Sequence, residues 1–228
     1  MKRFKVLLFF VVFVCLFSVS ATAYAAASPR TIISESIDAL REMGNQDDVS
    51  AMARIIDNGH GVAIVPNMIK AGLIIGGQHG YGLILARKDK QWYGPSFFEM
   101  TGGSIGLQIG AQKVALLFCI NNQAGMEAFT DSKSKLGANV GLAAGPVGRE
   151  TGAATDGSFH ASIYSYSMSK GLFAGVNLDG TAVGASHKMN EEYWEERLSI
   201  EEALKRKATK SEVKELLAEL NKIIKKRD

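Results

Sequence analysis

Gly102-Gly-Ser-Ile-Gly106 carries the spacing G-x-S-x-G, in which a serine between glycines serves as a nucleophile raised above a sheet. That chemistry needs a sharp strand-to-helix turn to expose the hydroxyl. Here Ile105, Leu107 and Ile109 alternate with small or polar residues, which is the period of a strand. Ser104 is therefore expected inside a strand, with the motif a product of glycine-rich composition. Ser132-Lys-Ser-Lys135 and Ser167-Met-Ser-Lys170 match S-x-x-K, which on a helix sets a lysine one turn from a serine. The first falls in a polar loop. The second ends an alternating run before Gly171, as a hairpin end does. The four histidines, His60, His79, His160 and His187, include no pair four residues apart, so no metal site is expected. Neither G-x-G-x-x-G nor a phosphate-binding P-loop occurs, so no cofactor is expected. The reading is non-enzymatic, with a serine hydrolase built on Ser104 as the enzyme alternative.

Binding chemistry has more support. Tyr164 and Tyr166 fall on one strand face that His160 and Ser162 continue. Such a face can line an apolar ligand groove or sit at a bilayer interface, against the plainer expectation of cross-strand packing.

The elements that must position these residues follow from periodicity. Ile33, Ile37 and Leu40 have helical spacing, and Met52, Ile55 and Ile56 continue it after Gly44, giving one broken amphipathic helix packed on a sheet. The period then becomes two. A short strand over 61–65 is expected to close at Pro66-Asn67, and a polar turn at Lys88-Asp89-Lys90 marks a hairpin. The apolar parity of 105–109 flips at Val114, Leu116, Phe118 and Ile120, which suggests a bulge near Gln112-Lys113. A helix is expected over 121–130, then strands at 138–144, 158–168, 172–178 and 181–187. Most of the 24 glycines lie in this β region, where they permit bends. The expectation is an α+β fold with a strongly curved, barrel-like antiparallel sheet, flanking N-terminal helices at one side and a C-terminal helical extension. That extension carries two capping boxes, Ser199 with Glu202 and Thr209 with Glu212, predicting helices over 200–207 and 210–226. Val213, Leu216, Leu217, Leu220, Ile223 and Ile224 make an apolar stripe that must dock on its own sheet, the preferred reading, or pair in a homodimer or with a partner helix.

The first residues read as an export signal: Lys2, Arg3 and Lys5 precede an apolar run over 6–19 and the small-x-small site Ala23-Tyr24-Ala25. Val14 ahead of Cys15 argues against a lipoprotein. The expected organisation is a signal peptide over 1–25, a domain over 26–194 and the extension over 195–228. The whole chain has 26 basic and 23 acidic residues; losing the signal leaves 23 of each. A chain without basic excess is not expected to bind nucleic acid. Cys119, in an apolar run, is expected to be a small buried hydrophobe rather than half of a disulfide.

Four motifs stand in order: Gly106-Leu-Gln-Ile-Gly-Ala111, Ala143-Ala-Gly-Pro-Val-Gly-Arg149, Tyr164-Ser-Tyr-Ser167 and Lys170-Gly-Leu-Phe-Ala-Gly-Val176. Together they resemble the SYLF domain family over residues 49–194, leaving the tail beyond Trp194 outside the family pattern. The resemblance implies a non-enzymatic module that associates with phospholipids. Family lipid binding is linked to a basic amphipathic N-terminal helix, whereas this chain sets Glu35, Asp38 and Glu42 against Arg41 there. The basic residues within or beside the resembling segments, Lys70, Lys113, Arg149 and Lys170, are therefore the candidates for headgroup contact, with Tyr164 and Tyr166. The expected protein is an exported, periplasmic phospholipid-binding module in peripheral contact with a membrane surface. The alternative is a structural or partner-binding envelope protein that uses its C-terminal helix.

Overall fold

The computed structural model describes residues 27–46, 49–72, 75–105, 110–131, 135–137, 140–145, 160–173 and 177–227. The expected export signal lies outside them, as does Arg149. Helix α1 (Pro29–Gly44) starts where Ser28 accepts from the Thr31 amide and proline takes the first turn. Its Ile33, Ile37, Leu40 and Met43 are buried. Helix α2 (Ser50–Asn58) buries Met52, Ile55 and Ile56, so the broken amphipathic helix is present as two pieces.

Four long strands follow: β1 (Gly61–Gly72), β2 (Ile75–Lys88), β3 (Gln91–Ile105) and β4 (Gly110–Ile120). Strand β1 does not close at Pro66-Asn67. Its register slips between Val65 and Met68 against β4, and between Ile64 and Ile69 against β2. This irregularity takes up the residue that cannot donate to a ladder, so a central strand tolerates its proline. The parity flip near Gln112 is not a bulge either. β3 ends at Ile105 and β4 begins at Gly110, and β4 pairs with β1, not with β3.

After α3 (Gln123–Thr130), capped by the Asn122 side chain on Gly125 N, come β5 (Leu142–Ala144), β6 (Ile163–Ser169), β7 (Leu172–Phe173) and β8 (Ala182–Ala185). The eight strands form one sheet of order β5-β6-β4-β1-β2-β3-β8, with β7 on β6. Every pairing is antiparallel except β5 with β6, which is parallel. The sheet is open, which corrects the barrel expectation. A barrel has one interior, but here successive residues feed two separate cores. Val62, Ile64, Leu83, Leu117 and Cys119 enter the first; Ala63, Val65, Ile84, Leu116 and Phe118 enter the second. A sheet buried on both faces needs a layer on each. The helices are therefore not confined to one side.

The expected strand over 181–187 ends at Ala185, and His187 opens a helix, α4 (His187–Trp194), that the sequence reading missed. Its buried face is only Met189, Asn190 and Tyr193. Asn190 completes the sheet edge past β8: its Oδ1 accepts from Phe97 N at 2.7 Å and its Nδ2 donates to Phe97 O at 2.9 Å. In the tail, the Ser199–Glu202 capping box forms on a helix shorter than expected, α5 (Ile200–Ala203). The Thr209 box does not form. Helix α6 (Ser211–Ile224) starts after Lys210 without a side-chain cap. Its Val213, Leu216, Leu220, Ile223 and Ile224 bury in the first core with α1, α2 and α4, while α3 and α5 cover the second. The apolar stripe of the tail is thus spent within the chain.

Candidate functional site

The first core lies under helices only along part of the sheet. The strands run beyond it to an end rich in glycine, where Gly72, Gly76, Gly77, Gly102 and Gly103 fall in neighbouring strands. A methyl group placed on Gly77 or Gly103 would meet nothing within 4 Å. Three of the expected basic residues gather at this end. Lys70 stands opposite Gln78 of β2 and Gln112 of β4, and Lys113 stands opposite Ile69. Because side chains alternate along a strand, Lys70 emerges on the second face and Lys113 on the first. Lys170 closes the β6–β7 hairpin at φ 52°, followed by Gly171 at φ 79°. The turn is tied to Lys113 because Ser169 Oγ donates to Lys113 O at 3.3 Å.

Lys113 and Lys170 are exposed, whereas Lys70 is half-buried. Burial lowers the Lys70 ammonium from its ordinary value, and no carboxylate stands against it among the described residues. On the second face its register neighbours make a polar row. Gln112 is exposed and its Nε2 donates to Ser169 Oγ at 2.9 Å. Gln78 is only 2 % exposed, and its Nε2 donates to Thr181 Oγ1 at 2.8 Å. The other amide atom of Gln78, Oε1, is buried without a partner among the described residues. The motifs did not mark Gln78, Gln112 or Thr181. The available signal was a glutamine amid strand glycines, too long and polar to be there for packing alone. Beside these residues, Leu172 is 70 % exposed, the one large hydrophobic so placed among the described residues.

The tyrosines do share a strand face, but it is the face that packs into the first core. Tyr166 packs in the first core against Phe173 at 6.1 Å between ring centres. Tyr164 is half-buried and its hydroxyl accepts from Ala161 N at 3.2 Å. Burial pushes the Tyr166 phenol up. Neither ring joins the lysines in an exposed belt. Ser104 lies within β3 opposite Gly76, with β4 next in the chain, so the strand-to-helix turn of a nucleophile elbow does not follow it. His60 bonds Asn121 O and His79 bonds Thr101 Oγ1. Among the described residues no cluster of three or more His, Cys, Asp or Glu could hold a metal, and no helix is long and apolar enough to cross a membrane.

At the opposite end a cleft of about 730 Å³ opens between α3, α5 and the β2–β3 hairpin. Met126 and Leu204 line it together with His60, Lys88, Glu127 and Lys205. Its charges are of both signs, and none of the expected headgroup residues reaches it.

The described chain is thus an open sheet, antiparallel but for β5 on β6, covered on both faces, with a docked C-terminal helix and a lysine-bearing glycine end. The profile of the Ysc84 family, described as Las17-binding protein actin regulator, matches residues 101–223, more than half of the chain. The chain belongs to this family, whose domain is the SYLF domain. The match reaches Ile223 in α6, so most of the tail, residues 195–223, lies inside the family region. LAS seventeen-binding protein 3 of Saccharomyces cerevisiae is 35% identical over 144 residues, covering 61% of this chain and 31% of that protein. SH3 domain-containing YSC84-like protein 1 of Homo sapiens is 32% identical over 152 residues, covering 66% of this chain and 44% of it. The chain thus spans between about a third and somewhat under half the length of these relatives, the first of which is named for binding.

Proposed function

We propose that this chain is an exported, non-enzymatic phospholipid-binding module of the cell envelope, and that it meets the membrane with the glycine-rich end of its sheet. The supporting observation is the gathering of Lys70, Lys113 and Lys170 around that end, with Leu172 exposed beside them. With basic and acidic residues in balance after signal removal, attraction to an anionic bilayer must come from such a local patch. Each lysine near an anionic surface contributes about 1 kcal/mol. The acidic polar face of α1 supplies no comparable attraction.

Liposome co-sedimentation tests the reading. Replacing Lys70, Lys113 and Lys170 by glutamine together is expected to weaken binding to anionic vesicles by roughly two orders of magnitude, and added salt should act likewise. Absence of sedimentation with every lipid would refute the membrane role. Sequencing the N-terminus of the protein from its native cell tests export: a start at Ala26 supports it, and a retained Met1 in a cytosolic fraction opposes it.

The relatives' names point instead to protein partners such as Las17. In that reading the C-terminal helix cannot be the docking element as it stands, because its apolar face is already buried against α1 and α2.

A further inference from the structure

The cleft between α3, α5 and the β2–β3 hairpin is floored by Met126 of α3, Leu204 at the end of α5 and Ala86 of β2. Met126 at 8 % and Leu204 at 9 % exposure are the two least buried residues of the second core, and Ala86 packs against that core from its margin. The core thus opens at this point, with the deformable Met126 thioether in the opening. Its frame is tied in place: His60 N donates to Ile120 O and Arg87 N donates to His60 O, both at 2.7 Å.

The charges around this floor have no partners of their own. Glu127 of α3, Glu201 of α5, Lys88 and Asp89 of the hairpin, and Lys205 just after α5 are exposed. None of the five is in an ion pair among the described residues, whereas Arg41, Arg87, Arg206 and Arg227 each find a carboxylate. Helical spacing brings floor and charge together: Glu201 precedes Leu204 by three residues and Lys205 by four.

This combination narrows the ligand. Carboxylates and ammoniums side by side exclude a polyanion. A wholly apolar molecule would withdraw the charges from water without compensation. The ligand therefore carries both signs, with an aliphatic body between them to cover the floor. A zwitterionic lipid headgroup does not fit, because both of its charges sit at one end of the molecule. At about 730 Å³ the cleft exceeds what a single amino acid fills and lies within the range of small-ligand sites, about 300–1,000 Å³. We infer that it binds a free oligopeptide with aliphatic side chains. Glu127 and Glu201 take its terminal ammonium, Lys88 and Lys205 its terminal carboxylate, and Met126, Leu204 and Ala86 its side chains.

The experiment uses the chain as purified from its native cell, with trileucine as probe and calorimetry as readout. No lipid is present, so the outcome is independent of the membrane role, which co-sedimentation reports separately. Trileucine is expected to bind more tightly than about 1 mM. N-acetyl-trileucine, trileucine amide and triglycine should each bind about tenfold more weakly or worse. Glu127→Gln/Glu201→Gln should bind free and acetylated trileucine alike, and Lys88→Gln/Lys205→Gln should bind free and amidated trileucine alike. Thermal melting checks each variant. Should a variant fail to fold, the blocked peptides decide on the unaltered chain. Absence of binding by trileucine overturns the inference. So does equal binding of a peptide blocked at both ends, which would make the occupant an internal segment of a protein, and so does a variant that weakens all the peptides by one factor.

Discussion

Arg87 on β2 and Asp57 at the end of α2 meet with Nη2 to Oδ1 at 2.7 Å, and Arg227 closes on the other carboxylate oxygen at the same distance. Arg87 also donates to the carbonyls of Ile56 and Asp57, which have no acceptor role left within a helix that is ending. The Asp57 carboxylate thus joins its own helix to the sheet through Arg87 and to the C-terminal tail through Arg227. Arg87 is 7 % exposed and Asp57 15 %, so the pair is largely shielded from water.

That shielding gives the pair a pH signature. Burial by itself would raise the Asp57 carboxyl, but the hydrogen bond from Arg87 and the charges of Arg87 and Arg227 outweigh it, holding the group below its ordinary value of 3.8. A carboxyl lower in the folded than in the unfolded chain adds stability that is complete above the ordinary value and is lost as pH falls through the lowered one. Asp57→Asn should therefore cost about 1–3 kcal/mol at neutral pH. In urea melts the gap between the two proteins should close on acidification below about pH 4. A gap that does not change with pH would contradict the assignment.

The docked tail makes a separate prediction. Leu216 and Leu220 of α6 are wholly buried, so Leu216→Ala should destabilise by about 2–5 kcal/mol. Arg41 of α1 is bonded to both Glu215 and Glu219 of α6, pairs that fix direction more than they add stability. Truncation after Trp194 should lower the melting temperature and leave the oligomeric state unchanged by sedimentation. A dimer falling to monomer with unaltered melting would show the tail to be an association element instead.

Cys119 is fully buried and unpaired, and burial pushes its thiol up. It should resist maleimide under native conditions and label fully in denaturant, read by peptide mapping at this residue. Native labelling at the rate of a free thiol would mean that the β4 centre opens readily.

Gly145 tests why two of the ordered motifs occur together. A Cβ there would lie 2.2 Å from the Tyr166 ring, and its amide donates to Ser165 O at 2.8 Å. Gly145→Ala should cost about 1–3 kcal/mol through overpacking, and Tyr166→Leu should relieve much of that loss in a double-mutant cycle.

These residues also show what could be read in advance. Helices α1, α2, α3 and α6 were legible because Leu40, Ile56, Met126 and Leu216 sit at helical spacing, and burial confirms the stripe in each. The long strands were legible by alternation. Sheet closure was not, because glycine permits curvature without demanding it, while the second core depends on which residues from distant segments cover each face. Helix α4 was hidden by its narrow apolar face and by Asn190, a polar residue that serves the edge of β3. At the candidate site, Lys70, Lys113 and Lys170 were marked in the sequence. Their partners Gln78, Gln112 and Thr181 were not, because only the pairing of β1 with β2 and β4 sets them abreast.

The contact between α1 and α6 also orders events in time. The chain is made from its N-terminal end, so Ile37, Leu40 and Met43 are synthesised long before Leu216 and Leu220, the residues that cover them. Until the last turn of α6 has emerged, the first core has an uncovered side and the Asp57 clasp lacks Arg227. An unfinished chain cannot complete this fold. A nascent polypeptide of this kind stays open, with the apolar face of α1 in reach of chaperones, until α6 has been made and docks.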